Sequence, residues 1–254
     1  MNYALVGYGR MGKAVERRAR ARGHECVAVI EIEDSIDGAG RAGAEVAFEF
    51  TLPGSAERNV LALIRAGIPT VCGTTGWRPG PELRRELDGS PAGLVLAPNF
   101  SVGMNLFFRL TAEAGRLVGA LGLHEPFVTE SHHRGKRDVP SGTARRLASL
   151  LLEADPRLES VHEGNPSEPL GAEVLQVASS RAGHEPGTHT VGFDGEHELI
   201  TLRHQARGRE GFALGAVLAG EWLGGRRGLH DFGEVLEGML QDARSANGRE
   251  GGTR

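Results

Sequence analysis

Short apolar runs alternate with longer amphipathic stretches along the first hundred residues. Asn2 to Val6 is a short apolar run ending at Gly7, and Arg10 to Arg22 follows with helical character. His24 to Ile30 is again strand-like, with Val27, Val29 and Ile30 apolar. Val46 to Phe50 predicts a third strand, and Ser55 to Ala66 a helix carrying Val60, Leu61, Leu63 and Ile64 on one face. Thr70 to Cys72 and Leu94 to Leu96 read as strands on either side of a helix at Pro81 to Leu87. This alternation predicts a parallel, doubly wound α/β sheet with right-handed crossovers. Ser35 to Ala44 is too glycine-rich and short to predict an element.

The pattern changes near Asn105. Leu106 to Ala120 predicts a long apolar helix, Pro126 to Glu130 a strand, and Thr143 to Glu153 a helix. A polar, proline-rich loop is expected from Asp155 to Pro169. Glu173 to Ser180, Gly187 to Phe193 and Glu198 to His204 read as three strands. No helix separates them, which predicts antiparallel pairing and an α+β region. Phe212 to Leu223 and Leu229 to Leu240 predict two last helices. The polar, Gly-rich stretch 243–254 is expected to be a disordered tail.

Composition narrows the function classes. The 254 residues are 39% hydrophobic and 24% charged, ordinary for a globular enzyme, and the net charge of -4 leaves no basic footprint for nucleic acid. No apolar run is long enough to span a bilayer, and the first residues lead straight into a strand without a signal-peptide pattern. A cytoplasmic location is therefore expected. Cys26 and Cys72 lie in apolar runs without ligand spacing, so buried free thiols are expected and no metal site.

Three stretches carry chemistry. Gly7-Tyr8-Gly9-Arg10-Met11-Gly12 follows a strand and opens a helix, the context in which G-x-G-x-x-G reads as a dinucleotide turn. Gly7 would make the tight turn, Gly9 would admit the pyrophosphate, and Gly12 would let helix and strand pack closely. Glu31, nineteen residues past Gly12 at the end of the second strand, is placed to bind the ribose 2′-hydroxyl. Ile32 beside it offers no cation for a 2′-phosphate, so NADH is the expected cofactor and NADPH the alternative. Gly73-Thr74-Thr75-Gly76 and Ala97-Pro98-Asn99-Phe100-Ser101 leave the fourth and fifth strands, where such a sheet would hold the nicotinamide half. The third stretch is Glu130 to Ala144, with His132, His133, Lys136 and the helix-start signal Ser141-Gly142-Thr143. Ser141 reads as an N-cap rather than a nucleophile, since it sits in no G-x-S-x-G elbow. The helix start favours an anion, and Lys136 and the histidines bring transferable protons beside it. Of 29 basic residues only Lys13 and Lys136 are lysines, which points to a need for a compact ammonium at position 136. His184, His189, His197 and His204 are expected to be structural or exposed.

Taken together, these motifs resemble the 4-hydroxy-tetrahydrodipicolinate reductase (dihydrodipicolinate reductase) family almost end to end. The resemblance rests on the glycine turn, Phe50-Thr51-Leu52-Pro53, Val71 to Gly76, Ala97 to Gly103 and Glu130 to His133. It continues through Lys136, Pro140 to Ala144, Gly187 to Val191, Arg209 to Ala213 and Gly228 to Asp231. It implies an oxidoreductase of the diaminopimelate and lysine route that reduces a cyclic imine bearing two carboxylates with NADH or NADPH. His132 and Lys136 would then be the acid/base pair that supplies the proton. His133, Lys136 and the Gly142 and Thr143 amides, with Ser141 at the cap, would hold a substrate carboxylate. The resemblance further implies a Rossmann-type sheet domain at 1–104 and 213–242, with a smaller α+β domain at 105–212 whose mixed or largely antiparallel sheet assembles a homotetramer. Some family members carry a basic residue where Ile32 and Leu52 stand, which bears on NADPH use. Two competing readings are a dehydrogenase of a free amino acid on the same fold, and a catalytically silent dinucleotide sensor. The first gives no reason for the H-H-x-x-K pair, and the second would have lost one of its residues.

Overall fold

The apolar runs of the first hundred residues build five strands of one six-stranded sheet. The structure is a computed structural model that describes residues 1–31, 34 and 36–250. It divides into two compact units, one of Met1–Asn105 with Arg209 onward and one of Leu106–Gly208. In the first, strands β1 (Asn2–Val6), β2 (Glu25–Ile30), β3 (Val46–Glu49), β4 (Thr70–Cys72) and β5 (Gly93–Leu96) run parallel. Helices α1 (Arg10–Ala21), α2 (Asp37–Arg41), α3 (Pro53–Arg65) and α4 (Pro81–Gly89) connect them. Tyr3, Leu5, Phe48, Val71 and Val95 pack on one face against α1 and the small-residue helix α7 (Glu210–Trp222). Cys72 and Leu94 pack on the other against Val60 and Ile64 of α3 and Leu83 and Leu87 of α4. Both faces are covered, as a parallel sheet requires.

Helix α5 (Val102–Leu121) leads into the second unit, which begins within it at Leu106. There β6 (His124–His132), α6 (Gly142–Ala154), β7 (Ser160–Glu163), β8 (Val174–Arg181), β9 (Thr188–Gly195) and β10 (Leu199–Gln205) form a mixed sheet of order β10-β9-β6-β8-β7. Val128, Leu147, Leu151, Leu175, Val177, Val191 and Phe193 are buried.

Five sequence expectations change. Only β9 and β10 of the three late strands pair antiparallel with each other; β8 lies parallel to β6, reached through the α6 crossover that buries Leu147 and Leu151. The loop expected at 155–169 contains β7, a polar edge strand with no apolar alternation to betray it. Leu229 and His230, read as the start of the last helix, instead belong with Gly228 to β11, parallel to β5 and too short to show a period. The helix that follows, α8 (Phe232–Glu250), continues through residues 243–250, expected to be a tail; a stretch polar on all sides reads the same way in sequence. An element also appears at α2, where none was predicted. Ile32 lies outside the described residues.

Candidate active site

The nucleotide motif folds into the turn between β1 and α1. Gly7 has φ +91°, and a Cβ there would stand 2.6 Å from the Phe50 carbonyl oxygen. At Gly12 a Cβ would collide with the Gly7 carbonyl, while Gly9 faces open space. Helix α1 has Gly9 at its N-cap, no side chain bonded to its first amides and no acidic residue in its first turn. Its N–H groups and dipole therefore remain available to an anion. These features fit a dinucleotide pyrophosphate.

Gly7, Tyr8, Gly9, Arg10 and Glu31 line one cleft of about 1180 Å³ together with Asp34. Glu31 donates its backbone N–H to Asp34 Oδ2 at 2.8 Å. The far wall comes from Thr51 and Leu52 of the β3–α3 connection and Ser55, Arg58 and Asn59 of α3. Met11 and Gly12 sit in the first turn of α1. The loops after β4 and β5 do not line this cleft. Gly73 lies under the Phe50 ring, Thr74 is buried, and Thr75 and Pro98 are exposed. Ala97 and Phe100 are buried, and Phe100 makes edge contacts with Phe50 and Phe232. Asn99 Oδ1 accepts the Ser101 N–H at 2.8 Å. Phe100 is thus a core residue.

The second unit gathers the other predicted residues at the end of β6. Strand alternation puts Pro126, Val128, Glu130 and His132 on the buried face. Sheet register then decides the neighbours of Glu130: Ser179 of β8 stands opposite on one side and His189 of β9 on the other. Glu130 Oε1 accepts from Ser179 Oγ at 2.8 Å, Arg181 Nη2 at 2.6 Å and the Ser141 N–H at 2.9 Å. Its other oxygen accepts the Ser141 hydroxyl and lies 3.4 Å from His189 Nε2. Burial alone would raise the Glu130 carboxyl, but the bonds from His189, Ser141 and Arg181 outweigh it and hold the group ionised far below the usual range.

His132 is 6% exposed, its ring edge-on to His189 at 5.0 Å between centroids and lying over Gly187. Burial lowers its pKa to about 4; Glu130 opposes the shift, while His189, Lys136 and Arg181 add to it. Lys136 Nζ holds both Asp138 oxygens, at 2.8 and 2.9 Å. His133 is exposed and donates its backbone N–H to the Glu185 carbonyl at 2.8 Å. After a cis Val139–Pro140 bond, Ser141 caps α6 by accepting the Ala144 N–H at 3.2 Å. Gly142 and Thr143 follow as the first residues of α6, and Gly142 is open to solvent. Asp138 is held below its usual range, chiefly by Lys136 and in part by the Gly142 N–H.

Sequence reading missed Ser179, Arg181 and His189 and gave Glu130 no role. Only Glu130 carried a signal, being two residues before His132 on a predicted strand. His204, the other late histidine near the core, rests against Phe107. Glu130, His132 and His189 could surround a cation, but Arg181 already neutralises Glu130, so the donor set suits a hydrogen-bond network better than a metal.

Comparison with known proteins decides the family. The model of the dihydrodipicolinate reductase N-terminus matches residues 1–100, and that of its C-terminus matches 103–236. The chain belongs to the dihydrodipicolinate reductase family. A 4-hydroxy-tetrahydrodipicolinate reductase of Christiangramia forsetii is 34% identical over 245 residues, covering 95% of this chain and all of the relative. One from Myxococcus xanthus is 37% identical over 217 residues, covering 82% and 78%. Among solved structures, a dipicolinate-bound dihydrodipicolinate reductase from Paenisporosarcina sp. TG-14 shares the fold. Its TM-score is 0.76 at 20% identity, over 91% of this chain and 97% of that one. Membership in this reductase family makes the chain an oxidoreductase with a nucleotide-binding Rossmann fold. No helix among the described residues is long and apolar enough to cross a membrane.

Proposed function

We propose that the protein reduces 4-hydroxy-tetrahydrodipicolinate to tetrahydrodipicolinate in the diaminopimelate and lysine route, with NADH preferred over NADPH. The observation that carries this is the Glu130–Thr143 constellation, an anion-ready helix start beside a buried imidazole and an ammonium, within a chain of this family. When bound, the reduced nicotinamide supplies hydride. Gly7 to Gly12 would hold its pyrophosphate on the α1 amides, Glu31 would hold the ribose, and the loops at Gly73 to Thr75 and Ala97 to Phe100 would border the nicotinamide half.

The Gly142 and Thr143 amides, Lys136 and His133 bind a substrate carboxylate, with Ser141 keeping the helix start in place. Hydride arrival leaves excess electron density on the ring, and the His132/Lys136 pair supplies the proton that neutralises it. His132 is neutral at rest because it is buried. A dianionic substrate beside it favours the imidazolium, so binding itself loads the proton carrier. Assembly as a homotetramer in the cytoplasm belongs to the same reading. The test is a steady-state assay on enzymatically generated substrate with NADH and NADPH in parallel. Turnover with a higher kcat/KM for NADH supports the reading, and nucleotide binding without turnover overturns it.

A further inference from the structure

Strand β3 is apolar at Val46, Ala47 and Phe48 and then ends on Glu49, a carboxylate with no solvent exposure. A buried ionised group without a counter-charge is costly unless its lone pairs are filled. No cation among the described residues pairs with Glu49. Four side chains donate to it instead. Thr74 Oγ1 lies 2.6 Å and Cys72 Sγ 3.1 Å from Oε2. The Thr51 hydroxyl and Asn59 Nδ2, the latter at 3.3 Å, serve Oε1. Burial pushes the Cys72 thiol far up, with Glu49 adding to the effect, so it stays a donor. Thr74 Oγ1 also accepts the Thr51 N–H at 2.9 Å, which closes a ring of bonds between the two strand ends.

We propose that Glu49 is a positioning residue for nucleotide binding, locking the Phe50–Leu52 connection to the Gly73–Gly76 loop. A carboxylate only accepts, so each neighbour must turn its donor inward, which fixes the rotamers of Thr51, Thr74 and Asn59 together. Thr51, Asn59 and Phe50 line the cleft, and the Phe50 ring covers Gly73. The nucleotide therefore meets a wall set from below by one buried carboxyl group. The proposal rests on the reductase reading only in taking this cleft as the nucleotide site.

Glu49→Gln keeps the shape but introduces a donor among donors. The nucleotide is NADH or NADPH, whichever the wild type binds more tightly, titrated by fluorescence. Its Kd should rise about tenfold, and KM should rise with kcat nearly unchanged. Hydrogen exchange should quicken at 50–52 and 73–76 and nowhere else. Thr74→Val should weaken binding similarly, and the double variant should be no weaker than the worse single variant. A folded Glu49→Gln protein with wild-type Kd overturns the proposal, as does full additivity. Should Glu49→Gln not fold, Thr74→Val is read alone, and a wild-type Kd there overturns it. Wild-type protein that binds nucleotide without turnover would sink the reductase reading and leave this binding test intact.

Discussion

His132 Nδ1 stands 3.4 Å from Glu130 Oε2, yet the carboxylate accepts its hydrogen bonds from Ser141, Ser179 and Arg181. The imidazole is left buried beside a charge that only partly compensates it. Its pKa of about 4 lies below that of an unfolded histidine, so between these two values the unfolded chain binds a proton that the folded chain does not. Stability contributed by the neutral imidazole is therefore full above about pH 6.5 and falls as pH drops to about 4. Glu130, depressed as a carboxylate, adds a second loss below about pH 4.5. His132→Gln should flatten the first loss, by on the order of 2–3 kcal/mol at pH 4. Melting temperature against pH for both proteins measures it, and parallel curves would refute the assignment.

Removing either proton carrier should damage chemistry rather than nucleotide binding, because both sit in the second unit and the glycine turn in the first. His132→Gln and Lys136→Ala should each lower kcat by roughly 10²–10⁴-fold, the range for a lost acid or base, with NADH affinity within about twofold of wild type. Full activity in either variant would remove that residue from the pair.

Asp138 occupies the Lys136 ammonium that the proposed reading assigns to a substrate carboxylate. Its pair with Lys136 is partly exposed and so adds little stability. Asp138→Asn should leave stability within about 0.5 kcal/mol and lower the substrate KM by about two- to fivefold. A raised KM would show instead that Asp138 aims Lys136.

Gly7 offers a test of the turn. Gly7→Ala puts a side chain at φ +91° and against the Phe50 carbonyl, and should cost about 2 kcal/mol or more in urea unfolding. The same change at Gly9, which faces open space, should spare stability and, in the proposed reading, weaken nucleotide binding by crowding the pyrophosphate. Equal stability losses at both sites would show that Gly9 is structural too.

By itself the chain determined what depends on neighbours in sequence. Alternating apolar runs specified the parallel strands and helices of the first unit, G-x-G-x-x-G its turn, and Ser141 the cap of α6, since these are set within a few residues. Tertiary structure alone decided which distant groups meet. Arg181 and His189 reach Glu130 only because β8 and β9 flank β6 in one register, and a slip of one residue would turn every side chain to the other face. Thr74 reaches Glu49 for the same reason, since β3 and β4 end side by side. The edge strands β7 and β11 and the parallel setting of β8 were likewise hidden, because pairing partners are chosen by burying apolar faces across the fold and leave no local period.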